Sequence, residues 1–287
     1  MSGAPESVRL AVIQPRPGSG PEEHKVGRAV ELLEQAVADG ARLALFPEGY
    51  PGPLRAASEY DAMPDLAAAA RSLGCGICWS RVEAEEEGRH RMVAYLHDSS
   101  GEVRLRYERA HPATGDVHPT LSGVPILPGD DLKPAEVDGV SVGVLICSEL
   151  WIPEAARVLA VAGAELLLAP AGGGFHEVAP NWRLIARARA VENECHVGLT
   201  QHLFGKEEGS ALIAGPEETL ARLIGEGVVV ADLDLDRARW LRATDDSMRE
   251  PKPFSSLPGL LRARRPCLYG DLSKPVPGLY DYSDPTA

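Results

Sequence analysis

Three short stretches of this chain put reactive side chains directly after apolar runs. In FPE, residues 46–48, Glu48 follows Leu43–Phe46. In YERAH, residues 107–111, Tyr107, Arg109 and His111 alternate. They share one side if the preceding strand continues that far. In VLICSELWIPEA, residues 144–155, Cys147 follows the apolar run Val144-Leu145-Ile146 and is trailed by Glu149, Pro153 and Glu154. A carboxylate that accepts a proton, a thiol that attacks and a fixed positive charge together make a set for covalent catalysis. Each stretch also has a plain structural reading: a glutamate in a turn, a solvated arginine at a strand edge, a cysteine packed inertly in a core. Two features favour the reactive reading. Pro47, Pro51 and Pro53 stiffen the loop around Glu48, while Gly49 and Gly52 let its backbone pass closely. A helix starting at Pro153 puts Cys147 near a helix N-terminus, where a thiol is expected to have a lowered pKa.

Alternating strands and helices must position these groups. Arg9–Gln14 and Leu43–Phe46 read as buried strands around a helix over Pro21–Ala38, which Gly40 stops. Asp65–Leu73 is an alanine-rich helix. Cys75–Val82, Met92–His97 and Val103–Tyr107 are successive strands, with turns at residues 86–88 and 99–101. A polar loop, Pro112–Leu127, leads to a strand at Val140–Ile146 whose lack of a polar face predicts burial on both sides. The second half repeats the alternation. Helices are expected at Pro153–Ala162, Trp182–Glu194 and Asp234–Leu241, and strands at Leu166–Ala169, Val197–Gln201, Ala211–Ala214 and Val228–Leu233. Nothing reads as a linker or a repeat, so residues 1–287 are expected to form one domain of mixed strands and helices. The proline- and arginine-rich segment 251–287 is expected to wrap the surface or a partner subunit.

Bulk properties narrow the function classes. The 287 residues, 44% hydrophobic, suffice for a sizeable core. A formal charge of −13 gives no general attraction to nucleic acid or anionic membrane. No apolar run approaches the length of a membrane span, and the N-terminus does not read as a signal peptide. Five scattered cysteines suggest free thiols in a reducing cytoplasm. Two of them form the CGIC stretch at 75–78. It sits inside an expected strand without a second pair, so it reads as core packing and not as a zinc or redox site.

Taken in order, the three stretches resemble the nitrilase (carbon-nitrogen hydrolase) superfamily, whose motifs are FPE, a Tyr-x-Lys-x-His-like stretch and C-x-[DE]-x-x-x-P-E. Here they stand as FPE, YERAH and CSELWIPE. GAELLLAPAG (163–172), ARARAVEN (186–193), Gly209-Ser210 before ALIAGP, and RRPCLY (264–269) extend the likeness over nearly the whole chain. The resemblance implies an α-β-β-α sandwich of two mixed sheets flanked by helices, assembled as a dimer or larger homo-oligomer. It implies a cysteine-dependent hydrolase acting on an amide, nitrile or ureido group of a small molecule, with no metal or organic cofactor. Glu48 would be the base, Cys147 the nucleophile and the Ser148 backbone N–H an oxyanion donor. Tyr50, Glu149, Trp151, Phe175 and His176 would line the substrate pocket, and either Asp116 or Glu108 would be a second acid.

The departure is Arg109, which stands where the family has lysine. Arginine keeps its proton and offers a planar fork where lysine offers a point donor. It supplies charge but is a poor proton donor. It would stabilise an oxyanion, clamp a substrate carboxylate, or pair with Glu48 or Glu149 and close the site. Two alternatives to hydrolysis therefore stand. One is acyl transfer to an amine on the same fold. The other is a small-molecule-binding protein without turnover.

Overall fold

The central strands of both sheets are buried on both faces, and the alternation of their side chains assigns each face to a different layer. In the computed structural model, which describes residues 4–16, 22–52, 60–85, 88–113, 126–172, 178–203, 209–243, 261 and 263–274, the first strand, β1 (Ser7–Gln14), turns Leu10 and Val12 one way and Ala11 and Ile13 the other. Leu10 and Val12 enter a core between two sheets. Ala11 and Ile13 pack against α1 (Glu22–Ala38). The same division recurs in β2 (Leu43–Leu45), with Leu43 and Leu45 between the sheets and Ala44 on the helix side.

The first sheet has the order β12-β1-β2-β3-β4-β5, and the second β11-β10-β9-β8-β7-β6. In the first, β1, β2 and β3 (Gly76–Ala84) run parallel. They are followed by the antiparallel β4 (His90–His97) and β5 (Val103–Glu108) and flanked by the antiparallel β12 (Gly227–Asp234). In the second, β7 (Val140–Val144), β8 (Leu166–Pro170) and β9 (His196–Thr200) are parallel. The edges are β6 (Ala135–Val137) on one side, and β10 (Leu212–Ala214) with β11 (Thr219–Arg222) on the other. α1 and α2 (Met63–Leu73) cover the first sheet. α3 (Pro153–Val161) and α4 (Ala179–Asn193) cover the second. α5 (Leu235–Arg242) follows β12 and contributes Leu235 to the inter-sheet core. The result is the expected α-β-β-α sandwich of two mixed sheets. Burial of apolar area on three internal surfaces drives this layering.

Two strands go beyond the sequence reading. β6 forms a hairpin with β7 through Val137-Asp138-Gly139-Val140, where Asp138 (φ 49°) and Gly139 (φ 85°) both take the left-handed conformation that two-residue hairpins require. β11 pairs with β10 across a bulge at Ile213/Ala214. The strand expected over Val140–Ile146 ends at Val144, although Leu145 still donates to the Leu168 carbonyl at 2.9 Å. Cys75 joins the helix-side core and Cys78 the core between the sheets. All five cysteines are free. Residues 266–268 and 270–273 form two single turns with Leu268 and Leu272 exposed. No helix among the described residues is long and apolar enough to cross a membrane.

Candidate active site

The parallel strands β2, β7 and β8 all end on the same side of the sandwich, and their continuations meet there. Glu48 lies three residues past β2, Cys147 three residues past β7, and Gly172 two residues past β8. The Glu48 N–H donates to the Ala171 carbonyl at 3.2 Å, so the β2 loop is stitched to the end of β8. The Gly49 N–H donates to the Ser80 hydroxyl at 2.8 Å. The positive φ of Gly49 (64°) turns the chain back immediately after the glutamate.

Cys147 occupies the left-handed region, at φ 55°. That conformation costs a non-glycine residue roughly 1–2 kcal/mol. It breaks the chain sharply out of β7 and begins a single 3₁₀ turn, Cys147–Trp151, before α3 starts at Pro153. The Glu48 carboxylate and the Gly172 N–H lie close enough to the thiol to act on it in opposite directions, the first raising its pKa and the second lowering it. The sequence expectation of a lowered thiol pKa is corrected here. Desolvation, reinforced by the Glu48 charge, pushes Cys147 up to about 12, against the opposing pull of Arg109 and the Gly172 N–H. The intervening 3₁₀ turn separates the sulfur from the helix start, so the α3 dipole does not govern it. The resting group is a neutral thiol beside a carboxylate.

Arg109 follows β5, and its N–H still bonds the Met92 carbonyl at 2.9 Å, so the strand geometry continues one residue further. Tyr107 and Arg109 therefore face the same way, as their alternation predicted, whereas Ala110 and His111 lie past the strand and turn their consecutive N–H groups onto Glu149. Arg109 is 2% exposed and Glu48 5%. The Arg109 Nη1 donates to Glu48 Oε1 at 3.0 Å, and Nη2 donates to the Ser148 hydroxyl at 2.7 Å. Of the roles that the sequence left open for this guanidinium, the structure places it on the Glu48 carboxylate.

Glu149 is fully buried, and its carboxylate gathers donors from both neighbouring loops. Oε1 accepts from the Tyr107 hydroxyl at 2.7 Å, the Ala110 N–H at 2.8 Å and the His111 N–H at 2.9 Å. Oε2 accepts from the Ile146 N–H at 2.7 Å. This saturated group ties the Arg109 loop to the Cys147 turn. It was expected to contact substrate, and instead its lone pairs face protein donors.

Several other expected site residues lie elsewhere. Tyr50 is 2% exposed and stacks on Phe46 in the helix-side core, because the turn at Gly49 sends it back beneath the first sheet. Glu108 points away from Glu48 and pairs with Arg91 and Arg106, as strand alternation demands of a residue between Tyr107 and Arg109. Trp151 packs edge-on to Trp182, with ring centroids 5.3 Å apart, in the outer helical layer. Asp116, Phe175 and His176 lie outside the described residues.

Two residues escaped the sequence reading. His202, just past β9, has its Nε2 2.7 Å from the Glu48 carbonyl oxygen. Burial holds this imidazole down at about 4, so it is neutral and donates from Nε2. Gly172 is the other. A Cβ built on it would stand 2.8 Å from Glu48 Oε2. The polar run Thr200-Gln201-His202 after a buried strand was the available signal for the first. Gly172 closes the stretch GAELLLAPAG, but nothing local marked its contact with Glu48.

Comparison with known proteins shows the family and the fold. The profile of the carbon-nitrogen hydrolase family matches residues 9–243. The chain belongs to that family, and hence to the nitrilase superfamily. It is 31% identical to the protein named "Hydrolase in pqqF 5'region" of Pseudomonas protegens, over 94% of this chain and 93% of that one. It is 26% identical to the human deaminated glutathione amidase, over 86% and 79% of the two chains. The crystal structure of a carbon-nitrogen hydrolase from Helicobacter pylori G27 superimposes with a TM-score of 0.78 at 23% identity, covering 94% of this chain and 99% of that one, and so shares its fold.

Proposed function

We propose that this carbon-nitrogen hydrolase is a cysteine-dependent amidase of a small molecule, working through a thioester. The observation that carries the reading is the convergence of one thiol, one carboxylate and one guanidinium, with Glu48 paired to Arg109 and close enough to Cys147 to raise its pKa. A neutral thiol is a weak nucleophile and needs a base in contact with it. As the Cys147 sulfur attacks the amide carbon, Glu48 takes the thiol proton. The oxyanion develops beside the Arg109 guanidinium and the Ser148 backbone N–H. The tetrahedral intermediate collapses, the C–N bond breaks, and Glu48 passes its proton to the departing amine. Water then enters. Glu48 removes its proton while the hydroxide adds to the thioester carbon, and collapse releases the acid and returns the proton to sulfur. Arg109, at the position where the family carries lysine, supplies charge throughout but moves no proton, because its pKa lies above roughly 12. All proton traffic therefore passes through Glu48.

The Arg109–Glu48 pair itself favours a second reading, in which the carboxylate is neutralised and the pocket only binds. Acyl transfer to an amine is a variant of the first reading, differing in what takes the acyl group. One experiment separates these readings. Intact mass is measured after mixing the protein with small amides, nitriles, ureido compounds and activated esters, with Cys147→Ala as control. An acyl-sized gain in the wild type alone, followed by release of acid, supports the amidase. Release as a new amide when an amine is added supports transfer. Ligand binding that survives Cys147→Ala, with no adduct and no turnover across the panel, would leave only the binding reading.

A further inference from the structure

Glu48 is held from three directions. Its N–H bonds the Ala171 carbonyl, its carbonyl accepts from His202 Nε2, and its Oε1 accepts from Arg109 Nη1. Arg109 has no slack, because it is buried and its other arm donates to the Ser148 hydroxyl. With main chain and one oxygen fixed, the remaining oxygen, Oε2, has one place to lie, and that place is over the Cα of Gly172. A Cβ there would meet Oε2 at 2.8 Å, a distance that real Cβ atoms essentially never show. Gly172 is not among the glycines with positive φ, so its backbone is open to any residue type. Space, and not conformation, calls for glycine at this point. The backbone of the same residue lies close enough to Cys147 to act on its thiol.

We propose that Gly172 is a positioning residue for the base, matched to Arg109: the rigid arginine fork drives the Glu48 carboxylate into the volume that only a glycine at 172 leaves open. This rests on the reading of Glu48 as the base for Cys147. A lysine at 109 would hold the carboxylate through one point donor on a flexible stem. Oε2 could then step aside, and a methyl group at 172 would be tolerated. The identities of residues 109 and 172 are therefore coupled, although they lie on different sheets and are 63 positions apart.

The test is a double-mutant cycle read on the thiol, without substrate. Wild type, Gly172→Ala, Arg109→Lys and the double variant are alkylated with iodoacetamide across pH 6–10. Modification at Cys147 is resolved by peptide mass, because four other cysteines are present. In the Arg109 background, Gly172→Ala is expected to slow Cys147 alkylation roughly 10–100-fold near neutral pH, the size of effect that a misplaced general base gives. Near pH 10, where solvent hydroxide competes as the base, the difference should shrink. In the Arg109→Lys background the same methyl group should change the rate by less than about threefold. A Gly172→Ala protein that alkylates at the wild-type rate would overturn the proposal. So would an equal loss in both backgrounds, which would mean that Gly172 acts without reference to Arg109. If Gly172→Ala lowers the melting temperature, adding Glu48→Asp, one methylene shorter, should restore it, and persistence of the loss would also refute the steric argument. Failure of the amidase reading would look different: the alkylation coupling would stand while no amide was turned over.

Discussion

Glu149 offers the sharpest test of how this site is held together. Its carboxylate is fully buried and receives four hydrogen bonds of 2.7–2.9 Å, from the Tyr107 hydroxyl and the main-chain N–H groups of Ala110, His111 and Ile146. Glu149→Gln changes almost no volume. The amide oxygen can take the place of Oε1 and keep three donors. The NH₂ group must then face the Ile146 N–H, donor against donor. One charge-assisted bond worth about 1.5–3 kcal/mol is lost, and the stranded Ile146 N–H costs about 1–3 kcal/mol more. The other three bonds weaken to neutral strength. Against this, a neutral amide is cheaper to bury than a carboxylate. The expected net loss is about 3 kcal/mol of unfolding free energy. Urea denaturation at neutral pH measures it. Activity should fall further than stability alone implies, because Ile146 precedes Cys147, the proposed nucleophile, and Ala110 follows Arg109. A displacement of about 1 Å at either is expected to lower kcat roughly 10²-fold. A Glu149→Gln protein within about 0.5 kcal/mol of wild type, with unchanged kcat, would refute the claim that this carboxylate fixes the two loops.

Two further predictions follow from the same geometry. Because Cys147 sits at φ 55°, Cys147→Gly should be more stable than Cys147→Ala by about 1 kcal/mol, as thermal unfolding would show, while neither forms an acyl adduct. The second concerns acid. Burial holds both His196 and His202 at about 4, below the ordinary 6.5, so between these values the unfolded chain binds protons that the folded chain refuses. Stability should be full above pH 6.5 and fall as pH drops toward 4, by on the order of 3 kcal/mol for each histidine. Unfolding free energies at pH 7 and pH 5 check the sign, and His202→Gln should flatten part of the slope. A wild-type stability that rises between pH 7 and pH 5 would contradict it.

The sequence carried the layers and most of the strands. Runs such as Leu10–Ile13 and Leu166–Ala169 are apolar at every position, and a strand of that kind must be covered on both sides. Strand alternation also foretold that Tyr107 and Arg109 would face one way, with Glu108 on the other. The hairpin turn at Asp138-Gly139 was legible in principle, since the Asp-Gly pair marks it, whereas the three-residue β6 is too short to show a period. The order of the three motifs picked out Glu48, Arg109 and Cys147, and local chemistry supplied a reason for each.

Tertiary structure decided what these groups do to one another. The thiol's pKa goes up where local sequence suggested down, because desolvation and a carboxylate brought from another sheet outweigh a helix start displaced by one turn. Tyr50, two residues from Glu48, turns into a core because a single positive φ at Gly49 reverses the chain. Glu149 proved to be a tie between loops and Gly172 a space reserved for Glu48, and neither was visible beforehand. Side-chain period and apolar content are properties of a segment, so the sequence alone determines them. Which oxygen meets which donor, and where no Cβ fits, depends on segments that lie 38 to 154 positions apart and touch only after the two sheets close on each other.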